Sequence, residues 1–182
     1  MKIVFLIFLI SDLMFFSCST PSDKFIEIRN KNFSISVPEN LIQPSDAEEG
    51  SILNLTEDTS DFLNGLSVVV YDDSIIKDLD TISLYDYYYY VSDNILDETT
   101  GEGNLQTPED TTVNGYKSLF FTICGLYNSN NTNENVCFYT GIFQGEKNFY
   151  EVTVSCSEKR KQNYLPAIQK ILNSFKETSM IK

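Results

Sequence analysis

Residues 113–127 read Val-Asn-Gly-Tyr-Lys-Ser-Leu-Phe-Phe-Thr-Ile-Cys-Gly-Leu-Tyr, and the fold is decided here. Asn114-Gly115 is a two-residue hairpin signal, because a type I′ turn needs positive φ at both central positions and these residue types tolerate it. From Tyr116 the sequence predicts three long strands, approximately Tyr116 to Tyr127, Val136 to Phe143 and Phe149 to Cys156, with turns at Asn128 to Asn135 and Gly145-Glu146-Lys147. Long strands joined by such short connections pair antiparallel.

Working outward toward the N-terminus, Thr99 to Asp110 is polar and contains glycine, and it is expected to be a loop, with Pro108 confined to an edge or to irregular backbone. Before it the apolar period changes. Over Thr81 to Glu98, Leu84, Tyr88, Val91 and Ile95 fall on one helical stripe, flanked by Tyr85, Tyr89 and Leu96, while Asp86, Asp93 and Asp97 take the opposite side. The run Tyr87-Tyr88-Tyr89-Tyr90 goes right round this helix, so Tyr88 should face the core and Tyr90 should be exposed among the aspartates. Gly65 to Tyr71, with its Val68-Val69-Val70 run, reads as a strand covered on both faces, and Ser51 to Thr56 alternates weakly. Phe25-Ile26-Glu27-Ile28 and Phe33-Ser34-Ile35-Ser36-Val37 alternate around an Asn30-Lys31-Asn32 turn and form a first hairpin that Pro38 stops. At the other end, Glu158 to Lys176 places Tyr164, Ile168, Ile171 and Phe175 on one stripe with Leu165 and Leu172 beside it, and Pro166 should start or kink the regular part of this helix.

Strands, a helix, a run of antiparallel strands and a closing helix make an α+β domain. The stretches Phe33-Ser34-Ile35-Ser36-Val37-Pro38, Val113-Asn114-Gly115-Tyr116-Lys117, Phe149-Tyr150-Glu151-Val152 and Ile171-Leu172-Asn173-Ser174-Phe175-Lys176 resemble the PsbP/Mog1/DcrB-like domain group. That resemblance implies an antiparallel sheet sandwiched by helices, a functionally mixed and mostly noncatalytic group, and bacterial members that are often exported lipoproteins. Many members place a Trp soon after the early Pro; here Leu41 or Ile42 must serve.

The N-terminus has the order of a secretory signal: Met1-Lys2, an apolar run Ile3 to Ile10, Ser11-Asp12, then Leu13-Met14-Phe15-Phe16-Ser17-Cys18-Ser19. The apolar run is shorter than the roughly 20 residues of a spanning helix and carries Asp12, so a permanent transmembrane anchor is disfavoured. The segment resembles a bacterial lipoprotein signal, which implies that Cys18 is acylated; the alternative is ordinary cleavage, for instance after Thr20. Residues 1–17 are then the signal peptide, 18–24 a polar tether and 25–182 a single domain. More than one acyl chain is needed for stable anchoring, and the bacterial modification supplies it.

Composition narrows the chemistry further. About 160 residues follow the leader, enough for one packed core at 42% apolar content. There is no histidine, which removes Ser-His and Cys-His nucleophiles and imidazole metal sites, and no tryptophan. Loss of Lys2 and Asp12 with the leader keeps the net charge at −13, a surface that repels phosphate polymers, so no nucleic-acid partner is expected.

Three cysteines remain beyond Cys18. A symmetric turn at 128–135 sets Cys124 opposite Cys137, and a turn pairing Phe143 with Tyr150 sets Cys137 opposite Cys156. Cys124 with Cys137 is the first choice of disulfide and Cys137 with Cys156 the alternative, since a one-residue slip moves a partner to the other face; three reduced, buried thiols are the third outcome. The acidic groups Asp72-Asp73, Asp78-Asp80, Asp97-Glu98 and Glu109-Asp110 lack the pattern of a calcium loop. No metal site, cofactor or catalytic residue is expected. Asn54-Leu55-Thr56 and Asn130-Asn131-Thr132 would accept glycans only in a eukaryotic secretory route.

The expected function is a lipid-anchored, noncatalytic binding or interaction module of the bacterial cell envelope, periplasmic or surface-exposed. Its partners would be the membrane, through the lipid on Cys18, and an envelope protein, with an interaction surface near Tyr90 and the loops around Asn130. The alternatives are a protein displayed to a host or the environment, and a small enzyme using carboxylates or a thiol.

Overall fold

The computed structural model describes residues 22–44, 49–57, 65–73, 82–129, 132–146 and 148–178. In chain order the elements are β1 (Phe25–Arg29), β2 (Phe33–Pro38), β3 (Leu41–Ile42), β4 (Leu53–Glu57), β5 (Ser67–Asp73), α1 (Leu84–Glu98), β6 (Thr99–Leu105), β7 (Glu109–Val113), β8 (Tyr116–Ser129), β9 (Thr132–Gln144), β10 (Phe149–Ser157), a 3-10 turn at Glu158–Arg160, α2 (Lys161–Ser174) and β11 (Lys176–Glu177). They build an eight-stranded sheet in the order β3-β4-β5-β10-β9-β8-β6, with β7 also on β8, and a small sheet β1-β2-β11. Every strand pairing is antiparallel. The fold is an α+β antiparallel sheet with a helix on each face.

The turn that opens β8 has the expected backbone, with φ of 51° at Asn114 and 93° at Gly115. Asn114 also donates through Nδ2 to the carbonyls of Phe175 (2.7 Å) and Asn173 (3.2 Å), so the hairpin tip caps the end of α2. Side chains then alternate along each strand. On β9, Tyr139 and Phe143 point with Val152, Val154 and Cys156 of β10 toward α2 and β2, whereas Val136, Phe138 and Ile142 point with Leu119, Phe121 and Ile123 of β8 toward α1.

Phe175 is the wedge of the larger core. It is fully buried just past α2, stacked on Phe143 at 4.3 Å, tilted against Tyr150 at 5.1 Å, and stacked on Phe33 of the small sheet at 6.0 Å. The chain turns extended there, so α2 ends at Ser174 rather than reaching Lys176, and Lys176–Glu177 pairs with β2. Glu177 accepts from the Tyr150 hydroxyl (3.1 Å) and the Glu146 amide (2.9 Å), tying the C-terminal strand to the β9–β10 turn. A second polar tie is buried: Glu57 accepts from the Tyr164 hydroxyl (2.8 Å), the Leu66 amide (3.3 Å) and Asn40 Nδ2 (3.3 Å), which joins β4, α2 and the loop after β2.

Two local expectations are corrected. Thr99 to Asp110 is not a loop: β6 and β7 pair successively along one edge of β8, which is 14 residues long and offers backbone partners for both. Glycine makes this approach possible, since a Cβ on Gly103 would sit 2.8 Å from Leu96 Cδ2 and one on Gly125 would sit 2.9 Å from Thr99 Cβ. Pro166 does not start α2, which begins at Lys161; it lies inside the helix, where its missing N–H leaves the Gln162 carbonyl without its i+4 donor.

Residues 1–17, Cys18 and the tether as far as Pro21 lie outside the described residues. From Ser22 the chain is held to the domain, with Ser22 Oγ donating to Glu39 (3.4 Å) and the Lys24 carbonyl accepting from the Glu39 amide (3.0 Å). Among the described residues, no helix is long and apolar enough to cross a membrane.

Replacing Phe175 with Ala removes the ring shared by both sheets and leaves a cavity, at a cost of about 3–5 kcal/mol. Urea unfolding should show the midpoint falling with an unchanged slope; a change below about 1 kcal/mol would remove Phe175 from its role as wedge.

Candidate functional site

The exposed side of α1 is the first candidate. Ser83 caps the helix: its Oγ accepts from the Asp86 amide (3.1 Å), and the Asp86 carboxylate accepts from the Ser83 amide (2.9 Å), a reciprocal capping box. The Ser83 hydroxyl also donates to the Asp86 carboxylate (2.6 Å), and this bond, with the one from the Ser83 amide, holds the Asp86 carboxyl below its ordinary range. With the start of the helix fixed, the four consecutive tyrosines are distributed by the 100° step per residue. Tyr87 stacks on Phe149 at 4.9 Å and Tyr88 meets Phe121 edge-on at 5.0 Å, both buried. Tyr89 and Tyr90 are turned outward, 60% and 59% exposed. Tyr85 is also exposed and donates to Asp110 Oδ2 at 2.6 Å, a bond that raises its phenol pKa.

The sequence therefore places Tyr88 inward and Tyr90 outward as the structure does, but it undercounts both faces. Tyr87 joins the core by stacking on Phe149, and Tyr89 leaves it for solvent. Asp86, Asp93 and Asp97 surround the exposed phenols. Such a face offers flat apolar rings, hydroxyl donors and negative charge.

The cysteine row is the second candidate. Cys124 and Cys137 are joined (S–S 2.06 Å) and lie opposite each other in the β8–β9 register; Cys156 lies opposite Cys137 across β10 and is a buried free thiol. Burial pushes the Cys156 thiol up to about 12, against a smaller opposing pull from Lys161. Past the disulfide, on the same sheet face, Leu126 and Asn135 begin an open cleft of about 430 Å³ completed by Asn133, Glu134, Glu158 and Lys159. A carboxylate enzyme needs two acids in an enclosed site. Here the cleft is shallow, Glu134 is paired with Lys159 at 3.5 Å, and Glu158 with Lys161 at 3.0 Å.

Other acidic groups singled out in the sequence are placed apart. Asp72 accepts from Asn32 (2.6 Å) and Asn148 (2.8 Å), Asp110 accepts from Tyr85, and Asp78 and Asp80 lie outside the described residues, as do Asn130 and Asn131. Glu158 was not singled out by the sequence; its position two residues past Cys156, where the strand gives way to a 3-10 turn, was the only signal available.

No protein-family model matches the chain, and no curated protein matches it. Solved structures do share its fold. Mog1p, a Ran-binding protein of Saccharomyces cerevisiae, is 11% identical with a TM-score of 0.57, over 86% of this chain and 96% of its own. The cyanobacterial PsbP (CyanoP) of Synechocystis sp. PCC 6803 is 14% identical with a TM-score of 0.56, over 89% and 96%. LpqN of Mycobacterium tuberculosis, involved in cell envelope biogenesis, is 10% identical with a TM-score of 0.54, over 86% and 91%. At these identities the likeness is one of fold, the PsbP/Mog1-like α+β architecture.

The raised pKa of Cys156 predicts its reactivity. A rise from the ordinary 9.0 to about 12 lowers the thiolate fraction at pH 8 on the order of 1,000-fold. The buried thiol favours the folded state fully below about pH 9, and that contribution is lost as pH rises toward 12. Iodoacetamide labelling of the non-reduced protein at pH 8 should be at least 100-fold slower folded than in urea; equal rates would contradict the buried placement.

Proposed function

We propose that this chain is an exported bacterial lipoprotein, held on a membrane of the cell envelope by lipid on Cys18. Its folded domain is a noncatalytic interaction module that meets an envelope protein through the outer face of α1. The observation that carries this reading is the pair of outward-turned phenols, Tyr89 and Tyr90, on a helix that commits Tyr87 and Tyr88 to the core and Tyr85 to Asp110. Two large aromatic side chains exposed side by side beside aspartates make a candidate contact surface, since aromatic residues are enriched where protein partners bind.

Three further considerations support it. The N-terminal run ending at Ser17-Cys18 carries the lipoprotein pattern. The lack of histidine removes the common hydrolase machineries. The fold is shared with a Ran-binding protein and with a protein involved in cell envelope biogenesis, both at low identity. With lipid on Cys18, only Ser19, Thr20 and Pro21 would separate the anchor from Ser22, so the domain would sit close to the bilayer surface.

Metabolic labelling with a clickable fatty acid tests the anchor. Wild type should be labelled and Cys18→Ser should not; label retained in the variant, or absent from both, would sink the assignment. A photo-crosslinking residue placed in cells at Tyr89 or Tyr90 tests the face. It should yield a discrete crosslinked species that the same probe at Gln169, exposed on α2 on the other side of the sheet, does not; equal yields from both faces would refute the proposed surface.

A further inference from the structure

We propose that the Cys124–Cys137 pair, once reduced, forms with Glu158 a binding site for a soft divalent cation such as Zn2+, so that the same two sulfurs serve either as a disulfide or as metal ligands. One ligand atom from each of Cys124, Cys137 and Glu158 lies within 4.8 Å of the other two. Two thiolates on a tetrahedral Zn2+ stand about 3.8 Å apart, with Zn–S near 2.3 Å and Zn–O near 2.1 Å, so the cluster needs only the small separation of the sulfurs that reduction itself allows.

The surroundings suit such a site. Cys137 is buried and half-exposed Cys124 faces it across the β8–β9 ladder, so the two sulfurs are held by backbone pairing rather than by mobile loops. Glu158 lines the open cleft and also belongs to the thiol cluster, and a three-ligand set leaves a fourth tetrahedral position for water or a ligand. Two thiolates and one carboxylate carry three negative charges against two on the cation, and Glu158 must release Lys161, now 3.0 Å away, to bind. Cys156 stays outside the set, because its sulfur is not among the clustered ligand atoms. The site is independent of the anchoring at Cys18.

The chemistry balances with a dithiol reductant. Its thiolate attacks one sulfur of the pair, its second thiol resolves the mixed disulfide, and the reductant leaves as a disulfide while the chain gains two thiols. The cation then displaces the two thiol protons. Reoxidation by a disulfide oxidant takes two electrons from the thiolates and releases the ion.

Full-length protein in detergent, reduced under argon, is titrated with Zn2+ against a chromophoric chelator, and separately with Cd2+, whose thiolate absorption in the ultraviolet reports sulfur ligation. The reduced wild type should bind one ion per chain and the oxidised protein none. Cys124→Ser should abolish binding, Glu158→Gln should weaken it more than tenfold, and Cys156→Ser should leave it within twofold. Circular dichroism on each reduced protein separates binding by the fold from binding by unfolded thiols. Equal affinity in Glu158→Gln and wild type, or loss of binding in Cys156→Ser with a folded spectrum, would overturn the proposal, as would an oxidised protein that binds as tightly as the reduced one.

Discussion

The pairing register of β9 with β8 on one side and β10 on the other is the constraint on which the rest of the molecule depends. Residues 136–143 of β9 are paired on both edges, so none can slip without breaking two ladders at once. A slip of one residue would turn every side chain to the opposite face, exchanging the aromatic surface under α1 for the one under α2. The register is also fixed from inside, where Thr140 and Thr153 share a buried hydrogen bond of 2.9 Å between β9 and β10. Once it is set, three cysteines fall in a row across three strands, and the choice of disulfide becomes a matter of which neighbour of Cys137 bonds.

Each sheet face then acquires a helix, and the two helices do different work. α2 is bound at both ends: Tyr164 reaches the buried Glu57, and the chain beyond Ser174 delivers Phe175 into the core and β11 to the small sheet. α1 is held along its inner side, at its capped start and through Tyr85 to Asp110, with Tyr89, Tyr90 and carboxylates on its outer side. The larger buried cluster thus lies on the α2 side, and the outward-turned phenols Tyr89 and Tyr90 on the α1 side. A module with this division can change its exposed face without disturbing its core, which fits an architecture shared by proteins barely more than a tenth identical.

Signals confined to a few neighbouring residues were legible in the sequence. Asn114-Gly115 names its turn because positive φ is a local property, and the 3.6-residue period places Tyr88 inside and Tyr90 outside with no knowledge of what lies opposite. Features that depend on a distant partner were not. Thr99 to Leu105 has a loop's composition and becomes β6 only because β8 is long enough to pair with it, with Gly103 and Gly125 admitting the close approach. Tyr87 is buried because Phe149, some sixty residues on, lies beneath it. Glu57 reads as a surface acid at the end of a weak strand, yet Tyr164, Leu66 and Asn40 converge on it in the interior. The position of Glu158 beside the cysteine pair follows from how β10 ends, which no periodicity records.

The proposed export and the register meet in one observable, since an oxidising compartment would supply the means to form a disulfide and the strand pairing decides which one. Protein isolated from the cell envelope, alkylated without reduction and digested, should give by mass spectrometry a single linked peptide pair, Cys124 with Cys137, with Cys156 recovered as a thiol accessible only after unfolding. Linkage of Cys137 to Cys156, or three free thiols in protein taken directly from the envelope, would contradict the account.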